Sequence, residues 1–178
     1  SKDLSEYVEE VPEIAQKLID KFWPGPLTII LRKKNTIPNV TSADLDTIGI
    51  RMPDNEVARK LIELSHTVIA APSANISGRP SPTDIERCVE DLDGRVDYII
   101  GGCHSKIGVE STIVDCTVDP PLVLRPGGIT LEMLKEIDSR IEIDKAIMQK
   151  PSENLKPKAP GMKYRHYAPK AKVTIISG

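Results

Sequence analysis

The sequence predicts an α/β fold built on a mixed sheet, and three observations predict it. Short apolar runs alternate along the chain with segments of helical periodicity. Proline and glycine clusters separate them, with 15 prolines and 11 glycines in 178 residues. Aromatic residues make up only 3% (Tyr7, Phe22, Trp23, Tyr98, Tyr164 and Tyr167), so the core has to be aliphatic.

Residues 12–22 carry Ile14, Ala15, Leu18, Ile19 and Phe22 at the spacing of a helix buried on one side, with Pro12 at its first position. Trp23-Pro24-Gly25-Pro26 ends that helix, because two prolines and a glycine cannot continue it. Leu27–Leu31 and Thr47–Arg51 follow as strands, the second finishing on a charge. Asp54 is placed to cap a helix carrying Val57, Ala58, Leu61, Ile62 and Leu64. Thr67–Ala71 reads as a strand that runs into a polar loop from Pro72 to Thr83. Ile85–Leu92 reads as a helix stopped by Gly94, and Val96–Ile100 as a further strand. A glycine-rich loop over 101–111 leads to the strands Thr112–Asp115 and Leu122–Arg125, then to the tight turn Pro126-Gly127-Gly128. Thr130 caps a last short helix through Ile137.

Composition excludes several classes. A hydrophobic share of 39% with 28% charged residues fits neither a disordered chain nor a membrane protein, and no apolar run reaches the ~18 residues of a spanning helix. Lys+Arg total 24 against 26 for Asp+Glu, a net charge of −2, which argues against coating nucleic acid by charge alone. Cys88, Cys103 and Cys116 form no CxxC pair, and His66, His104 and His166 lack the spacing of a metal motif, so no metal site is expected and the thiols read as inert in a reducing cytoplasm.

The composition shifts after residue 144. Lys145 to Lys172 holds eight Lys/Arg and one acid, Glu153, with Pro151, Pro157, Pro160 and Pro169 spaced through it. This stretch reads as an extended basic linker over 144–170. Residues 171–178, with Val173–Ile176 as a strand, read as the start of a further domain, and the domain over 1–143 begins without an opening strand. Both ends are therefore expected to be cut from a longer protein.

Ala70 to Thr83 is the most unusual segment. Three serines, an asparagine and a threonine supply donors and acceptors, three prolines shape the loop, and small residues would let a ligand approach the backbone. It follows a predicted strand, where open α/β sheets hold ligands. From composition alone, a solvated Ser/Pro loop fits as well. Arg51 and Arg125 end predicted strands, where a guanidinium can hold a carboxylate or phosphate bidentately. Gly108-Val109-Glu110-Ser111-Thr112 brings Ser111 to the start of a strand. The sequence has no Walker A motif, no GxGxxG and no GxSxG elbow, so a nucleotide would be held without a P-loop lysine.

Five motifs occur in order: Phe22-Trp23-Pro24-Gly25-Pro26-Leu27-Thr28, Ile48-Gly49-Ile50-Arg51-Met52-Pro53, Ala71-Pro72-Ser73-Ala74-Asn75-Ile76-Ser77-Gly78, Gly108-Val109-Glu110-Ser111-Thr112-Ile113-Val114-Asp115 and Leu124-Arg125-Pro126-Gly127. Together they closely resemble the YrdC-like family, the L-threonylcarbamoyladenylate synthases. Lys163-Tyr164-Arg165-His166-Tyr167-Ala168-Pro169 resembles the linker of the two-domain members, which carry a Rossmann-like C-terminal domain. The resemblance implies a twisted α/β sandwich on a mixed β-sheet followed by an extended linker. It implies a nucleotidyltransferase that combines L-threonine, bicarbonate and ATP, with magnesium, into threonylcarbamoyl-AMP and pyrophosphate. A separate transferase would then place the threonylcarbamoyl group on the adenosine next to the anticodon of tRNA.

Carried over by position, Arg51 would pair with the threonine carboxylate, with Ala71 and Ser111 lining the amino-acid pocket. Thr47, Ser73, Asn75, Ser81, Arg125 and Tyr167 would contact ATP. No residue stands out as a general base. The family's Lys-x-Arg half-signature before the Trp-Pro-Gly-Pro motif is not present in this sequence, so this chain alone is expected to be inactive. The alternative carried by the same fold is a module that binds double-stranded RNA or tRNA, with the basic run 145–172 as its local support.

Overall fold

The computed structural model describes residues 3–102, 104–148 and 174. The chain divides into two compact units, whose described residues are 3–70 with 109–148, and 71–102 with 104–108 and 174. The Lys163–Pro169 motif, Tyr167, most of the basic run and the strand expected over Val173–Ile176 lie outside the described residues.

The first unit is built on a mixed five-stranded sheet. Its strands are β1 (Leu27–Arg32), β2 (Thr47–Ile50), β3 (Thr112–Asp115), β4 (Leu122–Arg125) and β5 (Glu142–Ile143), in the spatial order β2-β1-β3-β4-β5. β1 runs antiparallel to β2 and parallel to β3, while β4 runs antiparallel to β3 and parallel to β5. The expected α/β architecture on a mixed sheet is therefore the one observed.

Helix α1 (Glu13–Phe22) buries Ala15, Leu18, Ile19 and Phe22, the stripe the sequence predicts. Pro12 occupies the N-cap with extended ψ, one position before the first helical turn. The stripe packs with Leu27, Ile29 and Leu31 of β1, Val114 of β3 and Val123 of β4, and Leu134 and Ile141 close the same core. Each such side chain, fully buried, stabilises the fold by about 1.5–3 kcal/mol. Among the described buried hydrophobics only Phe22 and Trp23 are aromatic, in keeping with the low aromatic content.

The Trp23-Pro24-Gly25-Pro26 corner is held by the Trp23 indole N–H, which donates to Leu27 O at 2.7 Å. Gly25 N–H donates to Met52 O at 2.9 Å, tying this corner to the segment that follows β2. A side chain at Gly25 would meet Phe22 O at 2.3 Å, so only glycine fits there.

Helix α2 (Glu56–Ser65) is capped by Asn55, whose side chain accepts from Ala58 N at 2.9 Å; Asp54, the expected cap, lies one residue too early. None of its residues is buried. Helix α3 (Ile85–Leu92), in the second unit, has the predicted bounds and is capped by Asp84. Helix α4 (Leu131–Lys135) begins at the Thr130 cap and stops short of Ile137.

Thr67–Ala71 and Val96–Ile100 do not form strands. Val68, Ile69, Val96, Tyr98 and Ile100 are all exposed, and no strand among the described residues pairs with either run. A strand exists through its hydrogen-bonded neighbour, so strand-like composition without one leaves irregular backbone.

Candidate functional site

The sheet order brings four polar side chains of the first unit to one end. β1 and β3 begin at this end, and β2 and β4 finish at it, because each of those pairs is parallel within itself and antiparallel to the other. Thr28 on β1, Ser111 just before β3, Arg125 closing β4 and Arg51 just after β2 are thereby collected from separate parts of the chain.

Ser111 is buried and is the centre of this set. Its Oγ lies 2.8 Å from Thr28 Oγ1. Arg125 donates through Nη2 to the same Oγ at 3.0 Å and through Nε to Ser111 O at 3.0 Å. The register between β3 and β4 is irregular at Ile113/Val114, so Arg125 pairs with Ile113 while Val114 pairs with Val123. Such a bulge re-aims the side chain beside it. Thr112 anchors the following turn: its Oγ1 donates to Ile129 O at 2.6 Å and accepts from Ile129 N at 2.9 Å. Gly127 lies so close that a Cβ there would sit 2.3 Å from Glu110 O and 2.5 Å from Thr112 N.

Arg51 adds a second positive charge. Desolvation first, and repulsion by Arg125 second, hold its guanidinium below the ordinary arginine value. No ion pair among the described residues includes Arg51. A guanidinium that meets a second positive charge beside it favours an anion at that place.

Thr47 is four residues before Arg51, about 13 Å along an extended strand, and it pairs with Arg32 at the far end of β2. The structure therefore does not bring Thr47 to the Ser111 cluster. Residues 47, 49 and 51 do share one face of the strand. Gly49 leaves that face bare beside Thr28 and Ile30, whose side-chain carbons lie 3.1 Å from where its Cβ would be.

The second unit carries Ala71, Ser73, Asn75 and Ser81. Ala71 and Ser73 are exposed, and Ser73 O accepts from Asn75 N at 3.0 Å. The Asn75 carboxamide donates from Nδ2 to Ile76 O at 2.9 Å and to Arg79 O at 3.0 Å. Asn75 Oδ1 and Ser81 Oγ are buried with no hydrogen-bond partner. Buried polar atoms in folded proteins are nearly all paired, so two orphans in one loop point to a ligand or ordered water.

Sequence reasoning missed the roles of Thr28, Thr112 and Gly127. A hydroxyl interrupting the apolar run of β1 was the available signal for Thr28.

An open mixed sheet with two guanidinium groups and a buried hydroxyl at one end is an arrangement suited to small anionic ligands. Comparison with known proteins narrows this class. The Sua5/YciO/YrdC family model, described as "Telomere recombination", matches residues 1–127, and a second, "Threonylcarbamoyl-AMP synthase, C-terminal domain", matches residues 129–178. The chain belongs to the Sua5/YciO/YrdC family. It is 49% identical over 177 residues to a threonylcarbamoyl-AMP synthase of Pyrococcus abyssi, covering 99% of this chain and 52% of that protein. It is 47% identical over 176 residues to one of Bacillus subtilis, covering 98% and 50%. The chain thus spans about half the length of these curated relatives. The crystal structure of P. abyssi Sua5 complexed with L-threonine superposes with a TM-score of 0.90 at 50% identity, over 95% of this chain and 49% of that one.

Proposed function

We propose that this chain belongs to an L-threonylcarbamoyladenylate synthase, which forms threonylcarbamoyl-AMP and pyrophosphate from L-threonine, bicarbonate and ATP. The observation that carries this reading is the Arg51–Arg125 pair beside the buried Ser111 hydroxyl. Two cations and a hydroxyl suit one carboxylate and one phosphate chain, the two anions that threonine and ATP supply. The family membership, and a relative whose structure is described as complexed with L-threonine, support the choice of amino acid.

Arg51 binds the threonine carboxylate in this reading, with Ser111 beside the amino acid; Ala71 is assigned to the amino acid by resemblance alone. Arg125 faces the phosphates and stabilises charge on the departing pyrophosphate. Thr47, reached along the bare face at Gly49, serves the nucleotide; Ser73, Asn75 and Ser81 are assigned to it by resemblance, and the two orphaned polar atoms of their loop support that. Tyr167 is assigned to the nucleotide by resemblance alone.

The product requires two new bonds. The threonine nitrogen bonds to the bicarbonate carbon with loss of water, giving a carbamate. A carbamate oxygen then bonds to the α-phosphorus as the bond to pyrophosphate breaks. Positioning and charge stabilisation are the contributions these side chains can make to both steps.

Among the described residues no group of three or more His, Cys, Asp or Glu could hold a metal ion. The donor set fits phosphate oxygens and not a bare cation, so magnesium would arrive on the ATP. No helix among the described residues is long and apolar enough to cross a membrane. Cys88 and Cys116 are free thiols, in keeping with the cytoplasm as the compartment. There the product would pass to a transferase that modifies the anticodon-adjacent adenosine of tRNA.

The test is pyrophosphate release by the full-length protein, with threonine and bicarbonate omitted in turn. Release is expected to need both, and release that ignores threonine overturns the proposal. Arg51→Ala should raise KM for threonine by about 10–100-fold, the worth of a charge-assisted bidentate contact. Arg125→Ala should act chiefly on ATP.

A further inference from the structure

In helix α3 the residue that is buried is a carboxylate, Asp91, only 8% exposed. Burying a carboxylate is unfavourable unless it is hydrogen-bonded and paired, so its partners show what it is there to hold. Both partners lie in the 73–81 loop. Ile76 N–H donates to Asp91 Oδ2 at 3.0 Å, and the Arg79 guanidinium donates from Nη1 to Asp91 Oδ1.

The same two residues are bridged by Asn75, whose Nδ2 donates to both their carbonyls, while Arg79 N donates to Ile76 O at 3.0 Å. The Asn75–Arg79 turn is thus stitched by a carboxamide from within and by a carboxylate from the helix. Two carbonyl acceptors around one side of Asn75 fix which atom is nitrogen. The atom left over, Oδ1, is an acceptor, buried and without a partner. An acceptor cannot bond a phosphate oxygen. It can accept from a ribose hydroxyl or from the adenine amino group.

We propose that Asp91 is a positioning residue for nucleotide binding: it holds the Asn75–Arg79 turn so that Asn75 Oδ1 accepts a hydrogen bond from the ribose or base of ATP. This rests on the synthase reading for its ligand. Asp91 itself touches no substrate; it acts through the turn.

The test uses the full-length protein. Asp91→Ala should speed hydrogen exchange of the Ile76 amide about tenfold or more, while the Ile29 and Val114 amides of the sheet keep wild-type rates. KM for ATP should rise at least about fivefold, with KM for threonine within about twofold of wild type. Asp91→Asn retains an oxygen for Ile76 and loses the charge toward Arg79, so it should fall between the two and carries the test if the alanine variant does not fold. Unchanged Ile76 exchange in the folded variants, equal rises in both KM values, or a loss confined to kcat overturns the assignment. If the wild-type protein shows no threonine-dependent pyrophosphate release, the synthase reading fails, and the exchange rates still decide whether Asp91 holds the turn.

Discussion

Replacing Gly127 by alanine is the most direct challenge to the geometry of the Ser111 cluster. The added Cβ would sit 2.3 Å from Glu110 O, 2.5 Å from Thr112 N and 2.7 Å from the Ser111 carbonyl carbon. All three are backbone atoms, so no side chain can swing aside. Non-bonded carbon contacts settle near 3.5–4.0 Å, so the turn after β4 and the start of β3 must part by roughly 1 Å. Overpacking of this kind costs about 1–3 kcal/mol. Urea unfolding should therefore show a lower midpoint at unchanged slope. The displacement falls on Ser111, which both Thr28 and Arg125 contact. Since about 1 Å of misplacement at a site can cost on the order of 100-fold in rate, threonine-dependent pyrophosphate release should fall by more than the stability loss explains. A Gly127→Ala protein within about 0.5 kcal/mol of wild type, the range of a neutral surface change, would refute the close approach.

Three further outcomes follow from burial and charge. Burial, and then Asp115, push the Cys116 thiol up to about 12, so at pH 8 Cys116 should resist alkylation while Cys88, less buried, is modified first; peptide mass mapping reads the order. Leu18→Ala removes a fully buried side chain from the core and should cost about 2–5 kcal/mol, whereas Leu61→Ala, at a position 50% exposed on α2, should cost far less. The Asp91 carboxyl is held below its ordinary 3.8, chiefly by the Ile76 N–H, with Arg79 and Arg95 adding to this against desolvation. Because the folded value is the lower one, its stabilisation is present above about pH 4 and is lost as pH falls through the folded value. A titration of the Ile76 amide shift with a midpoint above 4 would contradict this; the Cys88 thiol, pushed up by burial and then by Asp84 and Asp91, stays protonated throughout.

The parts of the fold legible in the sequence are those decided locally. The α1 stripe, the α3 bounds, and β3 and β4 follow from periodicity and turn residues within each segment. The cap of α2 was missed by one residue because Asp54 and Asn55 are adjacent and either can cap. The two strands that did not form, over 67–71 and 96–100, have strand composition, but composition does not supply a neighbour to pair with. The two residues of β5 are too few for a period to show. The site follows the same division. Arg51 and Arg125 were visible as strand-end arginines and Ser111 as the residue that enters a strand from a glycine loop, while the resemblance gave their roles. Their convergence depends on which strands are adjacent and in which direction, and that is a property of the register. Asp91 was not legible because an acid on a helix is ordinarily solvated, and only the packed loop shows what it holds.

Thr28 offers the sharpest test of how the cluster meets its ligand, because hydrogen-bond direction there can be deduced. Arg125 only donates, so Ser111 Oγ must accept from it. The remaining contact, Thr28 to Ser111 at 2.8 Å, can run either way. If Ser111 donated to Thr28, its hydrogen would be spent and an anion would meet a bare oxygen. If Thr28 donates, Ser111 accepts twice and its own hydrogen is left for the anion, the arrangement a carboxylate requires. Thr28→Val then removes a donor that orients this hydrogen, and threonine affinity should weaken by about 1 kcal/mol, roughly fivefold. Thr28→Ser keeps the hydroxyl and should stay near wild type. In a double-mutant cycle with Ser111→Ala, Thr28→Val should add almost nothing to the Ser111→Ala loss, since the hydroxyl it orients is already gone. Fully additive losses, measured by titration calorimetry with L-threonine, would show that Thr28 does not act through Ser111.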